Sequence, residues 1–456
     1  MRSRSFAELV ARVALLTVAL GVSACSWSRF DDETNNAPIV LLDQPGSMKH
    51  GFGVSVATAT EGDHVEVLVG GGIGVSNGAM YDIGNAESPS TTAVDSGYCK
   101  AEPCFLSSML GGLASAPGPD QRDRSLCFAV GAGTSTGIEG IIFRCQDATE
   151  YALPIPTDAE TLLDFALAQA QTDDFPLSAD RTANPALLAS SPSARVAWFY
   201  PAGNPAFSEL GAPQGTPIDD DSFGKSLAVL PQSDDKGSGR IFAVGIPNLN
   251  EVLLWKTDGG SASSYIGCLG GPAGFGLALT GGKVNRDDTS DLVISDSINV
   301  YVIDGSALFA LPVTDSTACS FASLPEGALL GSFGCGTNSS LSGCASSEFG
   351  AALAVGDLDG DGDGEVIVGA PSMTVRDQNQ AGALLVYDVD DPRDSSLADA
   401  KFISSAQSGD QLGRTIATPT IGDRDIILAG APGNGKAALF YCSSLLPAGA
   451  AGSRCP

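Results

Sequence analysis

Residues 348–371 read EFGAALAVGDLDGDGDGEVIVGAP. Phe349 and Gly350 open a short apolar run, a polar loop follows with an acid at every second position, and a second apolar run ends in Gly-Ala-Pro. Apolar runs this short, bounded by Gly, Asp and Pro, are too brief for helices and suit strands joined by a turn. The stretch therefore reads as a hairpin whose loop carries Asp357, Asp359, Asp361 and Asp363, with Glu365 opening the second strand.

The same order of features recurs along the chain. SFGKSLAVLPQSDDKGSGRIFAVGIP (222–247) and GFGLALTGGKVNRDDTSDLVISD (274–296) are good copies, and GFGVSVATATEGDHVEVLVGGG (51–72) and QLGRTIATPTIGDRDIILAGAP (411–432) are weaker ones. Two further segments keep only part of the pattern: SLCFAVGAG with GIIFRC (125–145), and DFALAQAQ followed by ALLASSP and RVAWFYPAG (164–203). Counted from starts at 52, near 108, 165, 223, 275, 349 and 412, the units number seven.

This pattern resembles the FG-GAP repeat, named for its Phe-Gly and Gly-Ala-Pro landmarks and found in the β-propeller of integrin α chains and in many bacterial surface proteins. The resemblance implies an all-β fold over residues 36–446: a seven-bladed β-propeller of four-stranded antiparallel blades. One blade cannot bury both of its faces alone, and packing blades in a ring covers them. The last copy supplies only three strands, LGRTIATPT, DIILAGAP and AALFYC. NAPIVLLD (36–43) is apolar and β-branched and is expected to add the fourth, which removes an open edge and ties the two ends of the ring together. One stretch resists the repeat. TDAETLLDFALAQAQ (157–171) has a cap-like Thr157 and Asp158 before good helix formers, so a helix is an alternative there; blade spacing favours a strand from about Asp164.

Carboxylates two apart suit a hard cation. Calcium takes six to eight oxygens, and a tight turn with glycine at alternate places lets side chains at its first, third and fifth positions converge. Those are Asp357, Asp359 and Asp361. By resemblance to the FG-GAP loop, Asp363 gives a backbone carbonyl and Glu365 the closing carboxylate, where the family usually has Asp. An EF-hand would need Glu at the twelfth position between two helices, and that position is Val368 between strand-like segments. The equivalent places at 283–291 hold Lys283, Asn285, Asp287, Thr289 and Asp291, so a lysine stands where the first ligand would be, placed to pair with Asp287 or Asp291. At 233–241 they hold Ser233, Asp235, Gly237, Gly239 and Ile241, and no ion is expected. One calcium site is the reading.

The chain of 456 residues carries a formal charge of −29, which disfavours nucleic acid and anionic lipid surfaces as partners. Arg2, Arg4 and Arg12 precede the apolar stretch 13–24, a secretory signal in form. Val22-Ser23-Ala24-Cys25 resembles the lipobox of bacterial lipoproteins, which implies cleavage after residue 24, lipid on Cys25, a tether over 25–35 and attachment to the cell envelope, on the outer membrane by the sorting residues. Removing Cys25 from the eleven cysteines leaves an even number, as in exported disulfide proteins. They fall into close pairs at 99/104, 127/145, 268/319, 335/344 and 442/455, with the connectivity open. Residues 447–456 form a tail.

An enzyme is not expected. GVSNG (74–78) and GTSTG (133–137) match a nucleophile elbow, yet the two histidines, His50 and His64, precede both serines, and strands rather than helices follow. No P-loop or zinc-protease motif occurs. The expectation is a binding or scaffold module for a protein or polysaccharide at the cell envelope. A carbohydrate-active enzyme on a propeller, or a structural subunit of an envelope complex, are the alternatives.

Overall fold

The computed structural model describes strand segments within residues 39–175 and most of residues 187–440, the longest stretches outside that description being 212–221, 335–345 and 390–399. Residues 1–38 and 441–456 lie outside it, and with them the signal segment, Cys25, the tether and the tail.

The chain is all-β, and its sheets follow one another in sequence. Sheet one is Ser55–Glu61, His64–Gly70, Gly78–Asp82 and Thr92–Val94. Sheet two is Cys104–Ser115, Arg124–Thr134, Gly137–Cys145 and Glu150–Leu153. Sheet three is Ala166–Gln169, Leu187–Ser191, Val196–Tyr200 and Ser208–Glu209. Sheet four is Ser226–Pro231, Arg240–Ile246, Glu251–Thr257 and Ser264–Gly270. Sheet five is Leu279–Gly282, Asp291–Ser295, Asn299–Ile303 and Leu329–Gly334, and sheet six is Leu353–Gly356, Glu365–Ala370, Ala383–Tyr387 and Ala400–Phe402. Sheet seven takes Ile416–Ala417, Ile427–Ala431 and Lys436–Phe440 from the end of the chain and Ile39–Asp43 from its beginning. That N-terminal strand is antiparallel to the last one, Leu41 opposite Ala438, and fills the outer place the sequence assigned to it.

Two details depart from or refine the expectation. Sheet two has a fifth strand, Asp174–Phe175, which runs parallel to Leu113–Ala114. It leaves the first strand of sheet three and covers the edge of sheet two, where peptide groups would otherwise lack partners. The ambiguous stretch 157–171 contributes the strand Ala166–Gln169, two residues later than Asp164.

Alternation along each strand sends successive side chains to opposite faces, and among the described residues sheets four to seven have a core on each face. In sheet six Val366, Val368 and Ala370 pack with Val293, Val300, Val302 and Phe333 of sheet five. The intervening Ile367 packs with Ile427, Ala429 and Phe440 of sheet seven. Other cores lie between sheets three and four and between four and five. A further core joins Val56, Val65 and Val67 of sheet one to Leu428 and Leu439 of sheet seven. This is why EVIVGA is buried at every position instead of at every second one. First strands also lie side by side in succession, from sheet one to sheet seven, and the first strand of seven meets that of one.

The Phe-Gly and Gly-Ala-Pro landmarks have a physical role in these seams. Phe52, Phe223, Phe275, Phe349 and the corresponding Leu412 are buried. The glycine after each takes a positive φ, between 77° and 91° at Gly53, Gly224, Gly276, Gly350 and Gly413, a region that disfavours side chains. Each of these glycines donates its N–H within its own sheet to the carbonyl of the residue at the Gly-Ala-Pro glycine position: Gly70, Gly245, Ser295, Gly369 and Gly430. That same position in the preceding sheet receives the next glycine's carbonyl. A Cβ on Gly369 would collide with the Gly413 carbonyl, one on Gly245 with that of Gly276, and one on Gly430 with that of Gly53. Where the position is serine, the hydroxyl donates to the neighbouring carbonyl instead, from Ser190 to Gly224 O at 2.6 Å and from Ser295 to Gly350 O at 2.7 Å. Absence of a side chain, or one able to hydrogen-bond, is what lets successive sheets approach.

One cysteine pair is joined among the described residues: Cys268 of sheet four to Cys319, 51 residues on. Backbone register also sets Cys127 opposite Cys145 on adjacent strands of sheet two.

Candidate functional site

Strands Leu353–Gly356 and Glu365–Ala370 of sheet six pair as far as Gly356 opposite Glu365, leaving the acidic residues in the loop beyond. Asp357 organises that loop. Its Oδ1 accepts the N–H groups of Gly360 at 2.7 Å and Asp361 at 3.2 Å, and its Oδ2 that of Gly362 at 3.0 Å. Gly360 and Gly362 have φ of 80° and 96°, so alternate glycines supply the left-handed turns that wrap the chain round one carboxylate. Asp361 Oδ1 accepts from Asp363 N at 3.1 Å. Glu365, at 5% exposure, closes the loop by accepting the Leu358 N–H at 2.7 Å.

Both neighbouring sheets hold this loop in place. On one side Gly364 N donates to Lys283 O at 2.7 Å, and Arg286 of the sheet five loop bridges two acids, with Nε 2.6 Å from Asp363 Oδ2 and an Nη 3.2 Å from Asp361 Oδ2. On the other side Asp357 N donates to Asp425 Oδ2 at 2.9 Å, and Asp425 N returns a bond to Asp357 O at 2.8 Å. Asp425 sits in the small two-stranded hairpin of Thr420–Ile421 and Arg424–Asp425, which lies in the chain between the first and second strands of sheet seven. Burial raises the Asp357 pKa from its ordinary value, with the Asp361 charge adding to it and the three amide bonds opposing it.

Four of the five predicted ligands, Asp357, Asp361, Asp363 and Glu365, thus lie in one loop; Asp359 and Cys25 lie outside the described residues. Among the described residues no group of three acids, histidines or cysteines is arranged to enclose a metal. The donor types are those of a hard divalent cation, all oxygen, while in this structure the Asp357, Asp361 and Glu365 carboxylates are engaged by loop amides and Asp361 also by the Arg286 guanidinium.

The loop at 283–291 in sheet five has the same framework. Asn285 Oδ1 accepts from Asp287 N at 3.0 Å and Asp287 Oδ1 from Thr289 N at 2.8 Å. Its ninth-place acid, Asp291, is fully buried and accepts the amides of Val284 at 3.0 Å and Gly305 at 2.9 Å, while Lys283 is exposed. The ninth carboxylate therefore binds the second-place amide in both loops, Leu358 in one and Val284 in the other. Sequence reasoning assigned Glu365 to a cation alone and missed this closing role. It also missed Arg286, whose signal was an arginine at the fourth place of the neighbouring copy's loop, and Asp425, whose spacing carries no signal.

An FG-GAP repeat family model matches residues 349–387, from Phe349 through the third strand of sheet six. No curated protein matches the chain. The buried Phe349, the left-handed Gly350, the acidic loop and the Gly369 seam all fall within the matched residues, and the chain is an all-β protein containing an FG-GAP repeat.

Proposed function

We propose that this chain is an exported lipoprotein whose seven sheets are the blades of a calcium-stabilised propeller, serving as a binding or scaffold module at the cell envelope and not as an enzyme. The observation that carries the reading is the seam between first and last sheets. Gly53 O lies against Gly430 as Gly413 O lies against Gly369, and Ile39–Asp43 completes sheet seven. Such a ring leaves its loops free to vary while the seams keep the body rigid, which suits recognition of a protein or polysaccharide surface. Acid-rich composition suits the cation and disfavours nucleic acid. Lipid on Cys25 would hold the ring to a membrane through the tether.

Within that reading Asp357, Asp359, Asp361 and Glu365 provide carboxylate oxygens and Asp363 a carbonyl to calcium. The ion offsets their mutual repulsion in the folded state alone, so it stabilises by about 2.7 kcal/mol at a hundredfold excess over its dissociation constant. Thermal unfolding of the purified protein with calcium and with chelator tests this. Chelation lowers the midpoint, Asp361→Ala removes the response, and Asp287→Ala leaves it intact. An unchanged wild-type curve refutes the cation site. Capture of partners from envelope extracts, with and without calcium, tests the binding role; loss of every specific partner in both conditions argues against it.

A further inference from the structure

We infer that Arg286 and a divalent cation compete for Asp361, so that an arginine of sheet five sets the affinity of the sheet six loop and couples its occupancy to the contact between the two sheets. The inference rests on the reading of 357–365 as a calcium loop.

Arg286 reaches the two acids unequally. Its Nε lies 2.6 Å from Asp363 Oδ2, and the Asp363 side chain is only 8% exposed. Its Nη lies 3.2 Å from Asp361 Oδ2, and that side chain is 45% exposed. These bonds differ in what an ion demands of the partner. Asp363 serves a cation through its carbonyl, so its side chain can keep the guanidinium. Asp361 serves through its carboxylate, whose Oδ1 already accepts the Asp363 amide, leaving Oδ2 as the contested atom.

Release of Asp361 costs little, because the Arg286 side chain is 71% exposed and its freed donors return to water. Retention of Asp363 keeps one positive charge beside a divalent ion, and that repulsion weakens binding. The loops stay joined meanwhile, since Gly364 N still donates to Lys283 O at 2.7 Å. Ion occupancy thus gives up the guanidinium's bond to Asp361 while its bond to Asp363 persists across this seam. On the sheet seven side Asp425 exchanges bonds with the Asp357 backbone, and the Arg424 side chain lies against Gly360.

Calorimetric titration of the full folded chain with calcium alone tests the proposal, using wild type, Arg286→Gln and Arg286→Lys. Removing the charge is expected to lower Kd about three- to tenfold, for a unit charge beside a divalent ion at a solvated surface. Lysine keeps the charge and loses the fork, so its Kd should stay within about twofold of wild type. Calcium binding by Arg286→Gln where wild type takes up none would also support the competition. Wild-type binding with an equal or weaker Kd in Arg286→Gln overturns this inference and leaves the calcium loop standing; a lysine Kd equal to that of glutamine overturns charge as its basis. No binding by either wild type or Arg286→Gln overturns both. Unfolding midpoints in chelator verify that each variant is folded.

Discussion

Gly430→Ala is the substitution that most directly probes the seam between the first and last sheets. A Cβ there would collide with the carbonyl oxygen of Gly53, lie 3.0 Å from its carbonyl carbon and come within 2.5 Å of Thr415 Cγ2. Two of these atoms are backbone, so no rotamer change relieves the clash. Gly53 is itself pinned, because its N–H donates to Gly70 O at 2.9 Å. The sheets must therefore part by roughly 1 Å, which forfeits a quarter to a half of the dispersion attraction across the gap. Overpacking of this kind costs about 1–3 kcal/mol. Serine at the equivalent Ser190 and Ser295 shows that the position accepts a side chain where the adjoining backbone is spaced to take a hydroxyl bond. Thermal and urea unfolding of Gly430→Ala should show a lowered midpoint. Gly211→Ala serves as the control, since nothing lies within 4 Å of its Cβ, and should stay within about 0.5 kcal/mol of wild type. If Gly430→Ala unfolds at the wild-type midpoint, the backbone approach at Gly53 contributes nothing to joining the two ends of the chain, and the ring loses its main support.

Two other outcomes follow from particular residues. Burial pushes Asp291 up to about 7, against two opposing amide bonds and with Asp287 and Asp304 adding to the shift. The folded form thus holds its proton where the unfolded form has lost it, so stability is greatest below about pH 4 and falls as pH rises toward 7, by on the order of 4 kcal/mol from this group. Asp291→Asn loses one amide bond at every pH but cannot titrate; the wild-type minus variant stability should therefore drop across that window, and a constant difference in urea titrations at pH 4 and 7 refutes the shift. Cys25→Ser should release the protein from membranes or block its processing, because thioether lipidation needs that thiol; unchanged membrane fractionation with normal cleavage overturns the anchor.

Much of the fold was legible because its signals are local. Short runs of β-branched and apolar residues between glycines mark strands, and a Phe-Gly or Gly-Ala-Pro landmark marks where each begins or ends, since those residues set φ and side-chain direction over a few positions. The unpaired apolar segment 36–43 pointed to an outer strand, and Ile39–Asp43 takes that place. Alternating acids and glycines marked a tight acidic loop, read as one that gathers round a cation; that the backbone winds round the Asp357 carboxylate, bonded to three of its amides, came from the structure. The Cys268–Cys319 bridge joins a pair adjacent in the order of cysteines. At 157–171 helix formers and blade spacing disagreed, and the strand that spacing favoured is found at Ala166–Gln169; local pattern gave no sign of the two-residue strand that covers the edge of sheet two, which is too short to carry a period.

By itself, then, the sequence determined the strands, the loop and its acidic chemistry, because each depends on neighbours within one hairpin. Only the tertiary structure decided what those pieces meet. Arg286 reaches Asp361 from 75 residues away, Asp425 meets Asp357 from 68, and Gly53 rests on Gly430 from the other end of the chain. Nothing in the spacing of such residues encodes their contact. It exists because sheets covered on both faces must stack, and stacking brings the second-strand glycines of one sheet and the polar loops of the next within bonding distance.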